Sequence, residues 1–214
     1  MQQLTATDPG TPDFSCFTGQ ALLDRIISLP EEFNAYRQHN HWQPDLRNVH
    51  ISSEHGPKLK GVNLRQANLN GASFTGVTLV DVNLEFTELS NATFIDCRLY
   101  NLVCRYSNFF RSGFHHCQIY SAELKRAKII LCRFDGVLFL QGSVDHADFD
   151  CTALNNCVMI GVKNLDTALM ITVISNYTDI ILAEGDKPNP HHGASVLDSQ
   201  AYDRLTTAHS IQVA

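Results

Sequence analysis

The sequence predicts an all-β repeat solenoid, and two observations carry that prediction. The first is a period of five. Large apolar residues stand at Leu59, Leu64, Leu69, Phe74, Leu79, Leu84, Leu89, Phe94 and Leu99. The phase continues through Phe109, Phe114, Ile119, Leu124, Ile129, Phe134, Phe139, Val144, Phe149, Leu154, Met159, Leu169 and Ile174. Helices repeat every 3.6 residues and strands every two, so a period of five demands stacked copies of one unit. The second observation is a small residue two positions before each large one, as at Val62, Ala67, Ala72, Cys97, Ser107, Ala127, Ala147 and Cys157. Residues two apart on an extended chain share a side, so both point inward. A bulky group at the small position would overfill the interior.

The segments follow in order. Residues 1–17 are polar, carry Pro9, Gly10 and Pro12, and are expected to be a mobile N-terminus. Residues 18–45 read as a helical cap: Leu22, Leu23, Ile26, Ile27 and Leu29 form one apolar stripe that Phe33 and Tyr36 continue. Pro30 interrupts the stripe and suits the first position of a second helix, with Glu31 and Glu32 at its positive end. Residues 46–176 are the β-helix. Leu46 and Ile51 are five apart but out of phase with Leu59, so an excursion near 52–57 separates a partial first coil from the rest. Residues 177–214 form a non-repeat tail, with a strand expected over 177–183, a loop over 184–193 and a short helix over 195–208.

Units such as Ala67-Asn-Leu-Asn-Gly71 and Ala147-Asp-Phe-Asp-Cys151 resemble the pentapeptide-repeat family, whose consensus is Ala-Asp/Asn-Leu-X-X, over residues 57–176. The run 33–46 is similar to the lead-in of bacterial members, with Phe33 and Tyr36 replacing two tryptophans. The resemblance implies a right-handed quadrilateral parallel β-helix of about six coils, four pentapeptides to a coil. The sequence supports that count by itself. Positions twenty apart give one core column, Phe74, Phe94, Phe114 and Phe134, continued by Leu154 and Ile174. Two interior positions depart from the rule, Cys104 and Asn164. A buried Asn needs hydrogen-bond partners, so the last coil is expected to loosen at Asn164. The resemblance further implies a non-catalytic protein-interaction scaffold, in some settings a bacterial effector. Its alternative is a DNA-mimicking protector of DNA gyrase and topoisomerase IV.

Candidate chemistry is sparse. There is no phosphate-binding glycine loop, nucleophile elbow or Cys-x-x-Cys pair. His191 and His192 are adjacent in a loop, and His115 and His116 sit at variable corner positions. Asp145, Asp148 and Asp150 read as a solvated acidic patch. No catalytic residue, cofactor or metal site is expected. Of seven cysteines, Cys97, Cys117, Cys132 and Cys157 occupy the small inward register and read as reduced filler, with pairing of Cys97 and Cys117 left open. Without a signal-peptide pattern or an apolar run of about 20 residues, a bacterial cytoplasmic protein with no membrane partner is expected, export by a specialised secretion system remaining open.

Charge separates the two functional readings. The chain has a net charge of −6, yet residues 57–176 carry eleven bases against ten acids. The repeat region is therefore near +1, and Lys125, Arg126, Lys128 and Arg133 make a basic belt. Mimicry of duplex DNA needs dense negative charge, so this balance counts against it. The moderate pI of about 5.9 counts equally against a nucleic-acid partner.

The outward position after each large residue carries the interface candidates. One column reads Val80, Tyr100, Tyr120, Leu140 and Ile160, extended by Leu138 and Val158. So long an apolar stripe needs a cover. Three covers stand open: the chain's own helix or tail, a second copy in a homodimer, or another protein.

Overall fold

The computed structural model describes residues 12–170, with 173–176, 178–181 and 195–196 besides. Each five-residue unit forms one side of a four-sided coil, and coils stack in parallel register. Two sides are sheets of seven strands each. The first sheet stacks His50–Ser52, Ser73–Thr75, Thr93–Ile95, Gly113–His115, Arg133–Asp135, Ala153–Asn155 and Ile174–Asn176. The second stacks Thr78–Val80, Arg98–Tyr100, Gln118–Tyr120, Leu138–Leu140, Val158–Ile160, Asp179–Ile181 and Ser195–Val196. Single parallel bridges hold the other two sides, one through Asn63, Asn83, Val103, Glu123, Ser143 and Lys163, the other from Asp45 through Asn68, Glu88, Asn108, Lys128 and Asp148 to Leu169.

The core column forms as the spacing of twenty requires. Phe74 stacks on Phe94 at 4.3 Å between ring centroids, Phe94 on Phe114 at 4.5 Å, and Phe114 on Phe134 at 4.6 Å. Leu154 pairs with Phe134 in the next register and is fully buried. The small register explains its own polar members. Ser107 donates to the carbonyl of Leu84 at 2.6 Å, Ser112 to Leu89 at 2.6 Å and Thr87 to Leu64 at 3.1 Å. Cys132 makes the same bond to Phe109 at 2.8 Å. A hydroxyl or thiol here meets a carbonyl of the preceding coil and is not left unsatisfied.

The corners obey a rule the spacing alone does not state. Every fifth residue from Gly61 to Gly161 has φ between 50° and 70°. This left-handed conformation costs most residues about 1–2 kcal/mol. Five of the positions are glycine and five are Asn or Asp, which suffer least. The remainder, Phe86, Tyr106 and Leu131 among them, are held by the ladder: Phe86 N–H donates to the Arg105 carbonyl and Tyr106 N–H to Lys125, both at 2.9 Å.

Three expectations are corrected at the C-terminal end. Ile174 does not continue the phenylalanine column; it pairs with Ala153, and Ser175 pairs with Leu154. Leu169 is not inward either but 45% exposed, while Leu165, Ala168 and Met170 are buried. The cause is one extra residue in this coil. Asp148 bridges Leu169, twenty-one residues on, where Lys128 bridges Asp148 at twenty. The left-handed corner arrives early, at Asn164 with φ of 61°, and its amide donates to Ser143 Oγ at 2.8 Å. Residues 195 and 196, expected to open a helix, are instead a strand paired with Asp179 and Ile180. The exposed edge of the second sheet offers Ser195 and Val196 ladder partners that an isolated helix start lacks. Residues 1–11 of the arm, the whole 184–193 loop with its histidine pair, and residues 197–208 lie outside the described residues.

At the N-terminal end α1 (Gly19–Ser28) and α2 (Pro30–His39) cover the first coil. Leu22, Leu23, Ile26, Phe33 and Tyr36 are buried, and Phe14 joins them edge-on to Phe33 at 5.2 Å. Asn34 stitches helix to coil: its amide donates to the Gly61 carbonyl at 3.0 Å and accepts from Asn63 N–H at 2.8 Å. Buried Arg37 donates to the carbonyls of Trp42 and Arg65. Backbone groups that an open solenoid end would leave unpaired are thereby satisfied. The excursion after the partial first coil is a 3-10 turn, Gly56–Leu59, laid against the second sheet. A Cβ on Gly56 would stand 2.5 Å from the Thr78 carbonyl oxygen, so no other residue fits without displacing backbone.

Candidate functional site

The outward positions of the second sheet form the column expected from the sequence. Val80, Tyr100, Tyr120 and Leu140 are half-buried there, flanked by Leu138 and Val158. Tyr100 and Tyr120 stack at 4.6 Å with planes 9° apart, locking both rings at one strand spacing. Tyr120 hydroxyl donates to Gln118 Oε1 at 3.1 Å. Burial, with Tyr100 alongside, raises the Tyr120 pKa above the ordinary phenol value. Ile160 differs from the other four. It is 3% exposed and pairs with Ile181, so it belongs to the covered end of the column.

A second outward feature escaped the sequence reading. The corner column Gln66, Phe86, Tyr106, Arg126 and His146 places two aromatic rings outside the coils. Phe86 is 40% and Tyr106 41% exposed, and they stack at 4.9 Å with planes 4° apart. Arg65 caps Phe86, its guanidinium carbon 5.1 Å from the ring centre. Each pentapeptide has two variable positions, and sorting both by twenty, not only the first, would have exposed this ladder.

Most charges on these faces are spent on one another. Glu85 lies between Arg65 at 3.4 Å and Arg105 at 3.1 Å, and Arg105 also reaches Glu123 at 3.7 Å. Lys125 meets Asp145 at 3.0 Å and Arg133 meets Asp135 at 2.7 Å, so two members of the basic belt are neutralised. Hydrogen bonds from Arg133 hold the Asp135 carboxyl below its usual pKa, and those from Lys125 and His146 do the same for Asp145. Among the described residues, no ion pair engages Arg111, Arg126 or Lys128.

Inside, Cys104 leaves an apolar cavity of about 30 Å³ between Leu102, Ala122, Leu124 and the phenylalanine column. Burial pushes the Cys104 thiol up to about 12 and Cys157 up to about 11, far from a reactive thiolate. Cys97 and Cys117 are both free thiols. Cys97 donates to the Phe74 carbonyl and Cys117 to that of Phe94, each at 3.4 Å. No cluster of three or more metal-ligating side chains occurs among the described residues, and no helix among them is long and apolar enough to cross a membrane. His115 faces Asp135 at 3.6 Å and His116 is exposed.

The family model for pentapeptide repeats matches residues 58–94, with eight copies of the repeat. Among solved structures, full-length QnrB1, described as a plasmid-mediated fluoroquinolone resistance protein, is 14% identical with a TM-score of 0.30. The match covers 78% of this chain and 90% of that one. The pentapeptide repeat protein Rfr23 from the cyanobacterium Cyanothece 51142 is 13% identical with a TM-score of 0.36, over 68% of this chain and 95% of that one. No curated protein matches the chain.

Proposed function

We propose that the chain, whose residues 58–94 match the family model for pentapeptide repeats and whose coils repeat that unit, acts without catalysis, as a rigid rod presenting a docking face to another protein. The observation that carries this reading is the column Val80, Tyr100, Tyr120 and Leu140. Its rings are held by stacking, so they lose little freedom on binding, and tyrosine is a frequent anchor at interfaces. Size favours a short partner segment over a second copy. Val80 to Leu140 spans three strand spacings, about 14 Å. A stable dimer buries roughly 800 Å² on each partner, far more than so narrow a strip provides.

Protection of gyrase by DNA mimicry requires dense, unpaired negative charge along the rod. The near-neutral balance of residues 57–176 and the bonded state of Glu85, Asp135 and Asp145 speak against it. Purified protein is accordingly expected not to rescue gyrase supercoiling from a quinolone at stoichiometric levels.

The docking face is tested by solution mass from light scattering, on wild type and on Tyr100→Glu/Tyr120→Glu. The expected result is a folded monomer in both cases. A wild-type dimer dissolved by the substitutions would make the column a homodimer seam. Unfolding of the variant would mean that the chain covers the column itself. Either outcome overturns the docking reading.

A further inference from the structure

We propose that the cavity beside Cys104 is a binding site for one small apolar molecule of diatomic size, the class to which dioxygen belongs. The column that Cys104 interrupts otherwise holds Leu64, Leu84, Leu124 and Val144. The space is therefore that of a branched side chain this coil does not supply, and Leu102 refills only part of it. The walls are held apart. Backbone bridges join Asn83 to Val103 and Val103 to Glu123, fixing the coils on either side at one strand spacing. Phe94, Phe114 and Phe134, stacked at 4.5 and 4.6 Å, line the same space. A site that exists before its ligand arrives costs little to occupy.

The lining selects the ligand. No nitrogen or oxygen atom faces the cavity. A buried water needs roughly two to four polar partners, so the cavity is dry. Cys104 does not supply one. The thiols of Cys97, Cys117, Cys132 and Cys157 each donate to a carbonyl of the preceding coil, whereas no hydrogen bond engages the Cys104 thiol among the described residues. Its soft, polarizable sulfur suits an apolar neighbour. Size narrows the class. A volume of about 30 Å³ takes roughly two water-sized spheres. Apolar cavities that hold benzene are about 150 Å³, so an aromatic ring is excluded and a diatomic fits. Burial keeps the thiol protonated, its pKa pushed up to about 12, so the bound molecule meets no thiolate.

The test is methyl relaxation measured by NMR on the full chain, under dioxygen and under nitrogen at equal pressure. Dioxygen is paramagnetic and nitrogen is not, so the difference reports how long the gas resides at each methyl. Leu102 and Ile129, which line the cavity, should be relaxed severalfold more than Leu64 and Leu79, which are similarly buried but do not line it. Cys104→Leu fills the space and should bring Leu102 and Ile129 down to that reference level. Added bulk also strains a packed core, so Cys104→Ala is measured beside it. That variant enlarges the cavity and should raise the relaxation further. The proposal fails if Leu102 and Ile129 match the reference methyls in wild type, or if Cys104→Ala brings no increase. It fails also if Cys104→Leu, folded as judged by its thermal midpoint, keeps the wild-type difference. A nuclear Overhauser effect from water to the Leu102 methyls would overturn it too, since the cavity would then be wet.

Discussion

Two sides of the same coils solve the same packing problem in different ways. On one, Phe74, Phe94, Phe114 and Phe134 repeat a single side chain rung after rung, with ring planes within 6° of parallel. On another, the large column runs Leu64, Leu84, Cys104, Leu124 and Val144, and is broken at its third rung. There the small and large residues have changed places: Leu102 fills the small register and Cys104 the large one, both buried. The exchange keeps most of the volume and leaves the apolar cavity as its residue. The lesson is that each coil is constrained by the volume it must fill rather than by which register supplies it.

Breaking the regular side should have the largest effect. Phe114→Ala removes a ring stacked on both neighbours and enlarges a cavity that already exists beside it. A loss of about 3–5 kcal/mol is expected in urea unfolding. A value near 1 kcal/mol would mean that neighbouring coils collapse into the gap and that the column is not a rigid stack.

The irregular side sharpens the comparison through a cycle. Leu102→Ala alone should destabilise by about 2–5 kcal/mol, because Cys104 cannot fill the space. Leu102→Ala with Cys104→Leu restores the order of the neighbouring coils on this side, Val82 with Leu84 and Ala122 with Leu124, and should return to within about 1.5 kcal/mol of wild type. Additive effects of the two substitutions would show that the registers do not share one volume.

The interior was therefore legible from the sequence because volume and periodicity are written in side-chain size. Cys104 was visible as an exception, whereas its compensation by Leu102 was not, since the small and large registers were read separately and Leu102 was not set against Cys104. The single extra residue after Val162 was also hidden. Leu169 and Ile174 happen to keep the period of five while the chain slips by one beneath them, and the pairings of Asp148 with Leu169 and of Ala153 with Ile174 reveal it. Outside the rod, the Tyr100–Tyr120 column was legible by sorting on twenty. The Phe86–Tyr106 ladder was missed because corner residues were treated as free, although their backbone is the most constrained part of each unit.

That constraint yields the smallest expected effect and the closest comparison between two corners. Leu131 has φ of 57° and is 44% exposed, whereas Gly136 has φ of 61° one corner further on. Leu131→Gly relieves about 1–2 kcal/mol of left-handed strain. It forfeits roughly 0.5–1 kcal/mol through the greater freedom of glycine in the unfolded chain, together with a little apolar burial. The balance should be neutral to slightly stabilising, a rise of a few degrees at most in thermal midpoint. Gly136→Ala should move the other way, since the added Cβ meets His116 Nδ1 at 2.8 Å as well as the unfavourable φ. Opposite signs at adjacent corners would show that the backbone, not the side chain, governs stability there. A clear loss from Leu131→Gly would instead mean that the exposed leucine is fixed by contacts stronger than its corner strain.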